Sequence, residues 1–150
     1  PRDSGKLIIN HVKNGVNLAK NFKMPVQIID FIRTHHGTTV AYFFYKKYID
    51  KNPEEKGNEK TFAYPGPKPF SKETAVVMMA DAVEASSRSL GNYTEENISE
   101  LVERIIYIQE QDGQYSDVPL TYKDMSEIKS VFKKRVANIY HARIAYPDRN

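Results

Sequence analysis

His11, His35, His36 and Asp81 stand in otherwise apolar, helix-patterned sequence, and imidazole together with carboxylate is ligand chemistry for zinc, iron, manganese and related ions. A single inward histidine is most often a hydrogen-bonded core residue, and for His11 taken alone that reading is favoured. The adjacent pair is different. Inside a regular helix neighbouring side chains diverge by about 100°, whereas His35 and His36 come just before Gly37 and can turn toward one centre where the helix ends. Asp81 lies within VVMMADAV, where a carboxylate is costly unless it is paired or metal-bound. Spacing alone does not bring these segments together, so a shared metal site and separately satisfied side chains both stay open at this point.

The rest of the composition narrows the chemistry. The chain has 150 residues, 40% of them hydrophobic, and no cysteine. That length suits one core and not two. Without cysteine there are no disulfides, thiolate zinc sites or cysteine nucleophiles, and catalysis is left to His, Asp, Glu, Lys, Ser, Thr or Tyr. The longest apolar run, near Ala75 to Val83, contains Asp81 and falls short of the about 18 residues that span a bilayer, so the sequence reads as soluble and without a signal peptide. A net charge of +3 averages basic ends, 1–23 and 121–150, over an acidic stretch at 94–117. Lysines spaced along amphipathic helices usually form a solvated face. With no RNA-binding sheet motif, zinc finger or recognition helix, a nucleic-acid polymer is not the expected partner.

The elements that must position the candidate ligands read as helices. Residues 4–22, capped by Asp3 or Ser4, place Leu7, Ile8, His11, Val12, Gly15, Leu18, Ala19 and Phe22 on one stripe, with His11 facing inward. Pro25 suits the start of a second helix that carries Ile28, Ile29 and Ile32 and holds both later histidines in its last turn. A short third helix covers 39–50. Residues 51–70 then form a long loop with four of the eight prolines, mobile in KNPEEKGNEK and shape-holding in FAYPGPKPF. Ser71 or a neighbour caps a helix of about 20 residues ending at Gly91. Thr94 caps another, and Thr121 with Asp124 forms a capping box for a long final helix. The expected fold is all-α, about six helices with one long Pro-rich loop.

The segments IINHVKNGVNLA, THHGT, FAYPGPKPFSKETAVVMMADAVEASSRSL, DGQ followed by LTYKDM, and YHARIAYP together resemble the cytoplasmic HD domain of the seven-transmembrane HD family of bacterial cyclic di-AMP phosphodiesterases. The likeness covers nearly all of the chain. It implies an HD-domain-like helical array, a site for two divalent transition metals, iron or manganese, and hydrolysis of cyclic di-AMP to a linear dinucleotide. By position it implies His11, His35 and His36 as ligands of one metal and Asp81 as a ligand of the other. It also implies attachment to the membrane through a transmembrane region outside this chain, and a location at the cytoplasmic face of the bacterial inner membrane.

One departure bears on activity. The family's ligand set includes an upstream histidine and a His-Asp pair, and no His-Asp dipeptide occurs in these 150 residues. The expectation is that residues 1–150 are the C-terminal portion of one HD-type domain, with the metal set incomplete or absent and hydrolysis defective in the fragment by itself. The remaining histidine, His141, is expected to make a helix-end or supporting contact. Uncovered apolar surface is expected to promote homo-oligomers or instability.

On the substrate side, Tyr64 can stack on a purine or simply pack, and Lys68 can approach a phosphate. Arg88 can clamp a phosphate oxygen, although pairing with Glu84 one turn earlier is favoured by its spacing. Thr38 offers a hydroxyl close to the histidine pair. Two alternatives to the phosphodiesterase are another HD-type nucleotide phosphohydrolase and a non-catalytic helical signalling module that binds a nucleotide.

Overall fold

The computed structural model describes residues 2–141 and shows six α-helices in chain order, α1 Arg2–Asn21, α2 Val26–Thr34, α3 Tyr42–Ile49, α4 Lys72–Ser87, α5 Glu95–Gln111 and α6 Tyr122–His141. Among the described residues the only β pairing is an isolated bridge between Val40 and Ala63. The all-α array expected from periodicity is therefore what folds.

α4 is the hub, because its sequence is apolar on several sides. Ala75, Met78, Met79 and Val83 meet Ile98, Val102 and Ile106 of α5 and Val136 of α6 in the main core, which Tyr115 closes. Fully burying each medium or large apolar side chain there contributes about 1.5–3 kcal/mol. Polar contacts fasten the ends. Lys72 Nζ lies 2.7 Å from Asp124 at the start of α6, and Glu103 of α5 receives Lys129 and Lys133 of α6, each at 2.7 Å. Those two ammonium groups hold the Glu103 carboxyl below its ordinary pKa. The Tyr115 hydroxyl donates to Gln109 Oε1 inside the turn after α5.

α1 packs against α2 and α3 at the other end. Gly15 allows the close approach, since a Cβ there would stand 3.0 Å from Ile32 Cγ2. A smaller core gathers Tyr45 and Tyr48 of α3 around Phe62. The 51–70 segment is less bare than its composition suggests. It carries short 3-10 turns at Pro53–Glu55 and Glu59–Phe62, and buries Phe62 and Pro69. The Gly66–Pro67 peptide is cis, and Tyr64 N–H donates to Thr39 O at 2.9 Å. Backbone bonds from Tyr64 N–H to Thr39 O and from Ala41 N–H to Phe62 O tie the start of FAYPGPKPF to the segment after α2.

Several expected boundaries shift. α1 already includes Arg2, so neither Asp3 nor Ser4 is its cap. Its expected stripe also splits in two. Val12 and Ala19 are buried, while Leu7, Leu18 and Phe22 are exposed at 76%, 59% and 73%, and His11 is exposed with them instead of facing inward. Periodicity locates an apolar face, but the width that gets covered depends on the partner helices. α4 stops at Ser87 and not at Gly91, because the Ser87 hydroxyl bonds Glu84 O and the chain tightens into bonds from Ser89 to Ser86 and Leu90 to Ser87. The Ser71 cap forms a box with Thr74, Thr94 caps α5 through Asn97 N–H, and Thr121 and Asp124 bond reciprocally as expected. The His141 side chain lies outside the described residues.

Candidate metal centre

α2 ends at Thr34, so His35 and His36 fall in the turn just beyond it and not in its last turn. Gly37 makes that turn possible with φ +51°, a left-handed conformation that glycine adopts without the clash a Cβ brings. The Thr34 hydroxyl donates to Asp30 O, and Thr39 Oγ1 donates to His36 O at 2.8 Å, so both sides of the turn are tied to backbone. The two imidazoles consequently lie side by side, with ring centroids 4.0 Å apart. α1 delivers His11 to the same place, with ring centroids 5.3 Å from His35 and 5.1 Å from His36.

The hydrogen bonds fix which nitrogens are free. His35 Nδ1 lies 2.7 Å from Ile32 O, and His11 Nδ1 bonds Ile8 O. A carbonyl only accepts, so each Nδ1 carries its ring's proton, and in the neutral rings each Nε2 is left with a lone pair. Those two Nε2 atoms face each other at 3.2 Å. Two lone pairs at that distance repel unless a proton or a metal cation lies between them. Nitrogens bound at about 2.1 Å to one ion, about 90–110° apart, stand roughly 3.0–3.4 Å from each other. One nitrogen of His36 completes a group of three in which all ligand atoms lie within 4.8 Å of one another. The donor set therefore fits a nitrogen-ligated divalent transition metal, and the Nδ1–carbonyl bonds are the outer-shell contacts that orient such ligands.

Asp81 adjoins this trio through His36, with Oδ2 3.6 Å from Nδ1. Its side chain is 44% exposed, so α4 carries the carboxylate at the rim of the core and not within it. Burial, reinforced by the neighbouring His35 and His11, pushes the His36 pKa down to about 3, which keeps its imidazole neutral and able to donate a lone pair. Tyr64 covers the other side of the cluster. Its ring lies 4.2 Å from that of His36 with 25° between the planes, and its phenol pKa is raised by burial and then by Asp81.

The remaining candidates have other partners. Lys68 Nζ donates to Gly113 O at 2.9 Å, fastening the Pro-rich loop to the turn after α5. Thr38 is engaged with Gln114, whose Oε1 accepts its N–H at 3.0 Å. Arg88 makes a bidentate pair with Glu84, both bonds at 2.9 Å, the contact favoured from spacing. Gln114 belongs to the DGQ segment that carries part of the family likeness, but nothing local marks its role. A lone glutamine in a turn has no periodicity that would mark it.

An all-helical array that brings sequence-distant histidines and an aspartate to the junction of α1, α2 and α4 defines a helical domain with a candidate metal site. Comparison with known proteins makes this specific. The crystal structure of the Listeria monocytogenes phosphodiesterase PgpH HD domain in complex with cyclic-di-AMP superposes with a TM-score of 0.88 at 37% identity, covering 97% of this chain and 68% of that one. The cyclic-di-AMP phosphodiesterase PgpH of Bacillus subtilis strain 168 is 40% identical over 148 residues, and that of Listeria monocytogenes strain 10403S is 38% identical over 148, each match covering 99% of this chain. The chain belongs to the PgpH HD-domain family. It spans 20% of the length of those two curated relatives. No family model matches it. Among the described residues, no helix is long and apolar enough to cross a membrane.

Proposed function

We propose that this chain contributes the metal-binding and nucleotide-facing part of a metal-dependent phosphodiesterase that hydrolyses cyclic di-AMP to a linear dinucleotide. The observation that carries the proposal is the facing pair of Nε2 atoms on His11 and His35, whose protons are already committed to Ile8 and Ile32. His11, His35 and His36 would hold one divalent transition metal, iron or manganese, and Asp81 would serve a second. Metals so held supply positive charge against phosphate oxygens and a nucleophile available near neutral pH.

The chain's own residues bind and orient. His36 stays neutral and is held flat by Tyr64, which screens one side of the cluster from water. Tyr64 is the residue best placed to stack on an adenine, since it is the aromatic ring directly over the histidines. Thr38 and Lys68 shape the site by fastening its loops, and Arg88 reaches a phosphate only by leaving Glu84. No His-Asp pair occurs in the sequence, so the second metal and turnover call on residues other than these 150. In that longer protein, a membrane region outside this chain would place the domain at the cytoplasmic face of the bacterial inner membrane.

The test uses both polypeptides. The longer protein, loaded with manganese or iron, is expected to cleave cyclic di-AMP, and the 150-residue chain is expected to bind metal through histidine with little or no turnover. A longer protein that binds metal and leaves cyclic di-AMP intact overturns the substrate. A chain that takes up no metal overturns the histidine site.

A further inference from the structure

The turn bearing His35 and His36 is held by a side chain 76 positions away in sequence. Gln114 is buried in the turn after α5. Its Oε1 accepts the Thr38 N–H at 3.0 Å, and its Nε2 donates to Thr38 Oγ1 at 3.1 Å. Thr38 N–H gains no backbone acceptor from the tight turn, whose own bonds run from Gly37 N–H to Thr34 O and from Thr39 N–H to His36 O. The glutamine also occupies the space beside Gly37, where a Cβ would run into Oε1. Lys68, bonded to Gly113 O, fixes the segment on which Gln114 is mounted. A buried amide making paired bonds to the residue two places after His36 controls the direction in which the chain leaves the pair.

We infer that Gln114 is the positioning residue of the His35–His36 pair, setting through Thr38 the turn that points both imidazoles at His11 and Asp81. The inference rests on the metal reading above, and its test separates the two. Gln114→Met keeps the side-chain volume and removes both hydrogen bonds. In Co²⁺ titrations of the 150-residue chain, at a temperature where circular dichroism shows full helix, Gln114→Met is expected to bind about 10-fold more weakly than wild type, the low end of the loss for a direct outer-shell partner, because Gln114 acts on the pair through Thr38. Val102→Ala, a core truncation away from the site, is expected to lower the melting temperature and leave affinity unchanged. Equal affinity for Gln114→Met and wild type overturns the inference.

A second readout needs no metal. In the metal-free chain, the ring ¹⁵N–¹H correlations of His35 and His36 are expected to shift in Gln114→Met and to stay in place in Val102→Ala. Unchanged rings overturn the positioning role. Wild-type protein that fails to bind Co²⁺ overturns the metal reading, and the ring spectra then decide Gln114 by themselves.

Discussion

Tyr64 lies nearly parallel to His36, with ring centroids 4.2 Å apart, and couples the Pro-rich loop to the histidine turn. The same loop is zipped to that turn by the bonds from Tyr64 N–H to Thr39 O and from Ala41 N–H to Phe62 O. A residue on an irregular segment thus has a defined place over the site, as binding residues on loops require a rigid support.

Tyr64 separates two contributions by substitution. Tyr64→Phe retains the ring, and Tyr64→Ala removes it. If the ring stacks on an adenine, Tyr64→Ala in the longer protein should raise KM for cyclic di-AMP by roughly 5- to 150-fold, the equivalent of about 1–3 kcal/mol for one base stacked on an aromatic. Tyr64→Phe should stay within a few-fold of wild type, because the raised phenol pKa leaves the hydroxyl uncharged near neutrality and unsuited to act as a base. Steady-state kinetics of both variants checks this, and equal KM values for Tyr64→Ala and wild type exclude a stacking role.

Metal binding should stabilise the chain by mass action. An ion at about 100 times its Kd adds about 2.7 kcal/mol to the folded state. Differential scanning calorimetry with increasing Mn²⁺ or Zn²⁺ should therefore show a rising Tm, and the rise should vanish with chelator or in a His11→Ala, His35→Ala double variant. Because protonated imidazole cannot ligate, the shift should also shrink as acid competes with the metal for the nitrogens. A metal-induced shift that survives the double substitution places the ion elsewhere.

The helices were legible because each of α3, α4, α5 and α6 repeats apolar residues at helical spacing and several open on a recognisable cap. Ser71, Thr94 and Thr121 are caps whose chemistry is local, so the sequence contains the whole argument. His11 shows what is not local. It shares a helical period with Leu7, Leu18 and Phe22, yet the side of α1 they form is uncovered among the described residues, and only tertiary packing decides which half of a wide apolar face is buried. The metal candidates stand out by residue type, by the Gly37 break and by family resemblance. Their convergence depends on α1 meeting α2 at Gly15. Gln114 was illegible because its role comes entirely from a contact across 76 positions.

Gly37 should tolerate no side chain. Gly37→Ala forces a φ of +51° on an L-residue and drives Cβ into Gln114 Oε1. Strain of this type costs about 1–3 kcal/mol. Chemical denaturation should show that loss of stability, accompanied by weaker metal binding as the histidine turn rearranges. A variant as stable as wild type would mean that the turn relaxes freely.

The exposed side of α1 should make the 150-residue chain self-associate. Leu7, Leu18 and Phe22 are exposed apolar residues on one side of α1, and Val26 and Phe43 are exposed on α2 and α3. Sedimentation velocity over a concentration series should show association that Leu18→Lys with Phe22→Lys abolishes, leaving the helical circular dichroism unchanged. A monodisperse wild-type monomer at high concentration would show that this side of α1 has no affinity for itself.

Acid should destabilise the metal-free chain through His36. Its pKa is pushed down from the usual 6.5 to about 3 in the folded state, by burial first and then by His35 and His11. Between those values the unfolded chain binds a proton that the folded chain refuses, so stability rises with pH across this window. The contribution is present in full above pH 6.5 and is lost progressively as pH falls toward 3. Glu103 and Asp124, whose carboxyl pKa values are lowered by lysine partners, act in the same direction at the acidic end. His36→Gln isolates the histidine, because its side chain does not titrate. Urea unfolding at pH 7 and pH 5.5 in the presence of chelator should show wild type losing more stability than His36→Gln over that interval. Equal losses would mean that the imidazole is freely protonated in the folded chain, and that solvent reaches it despite Tyr64.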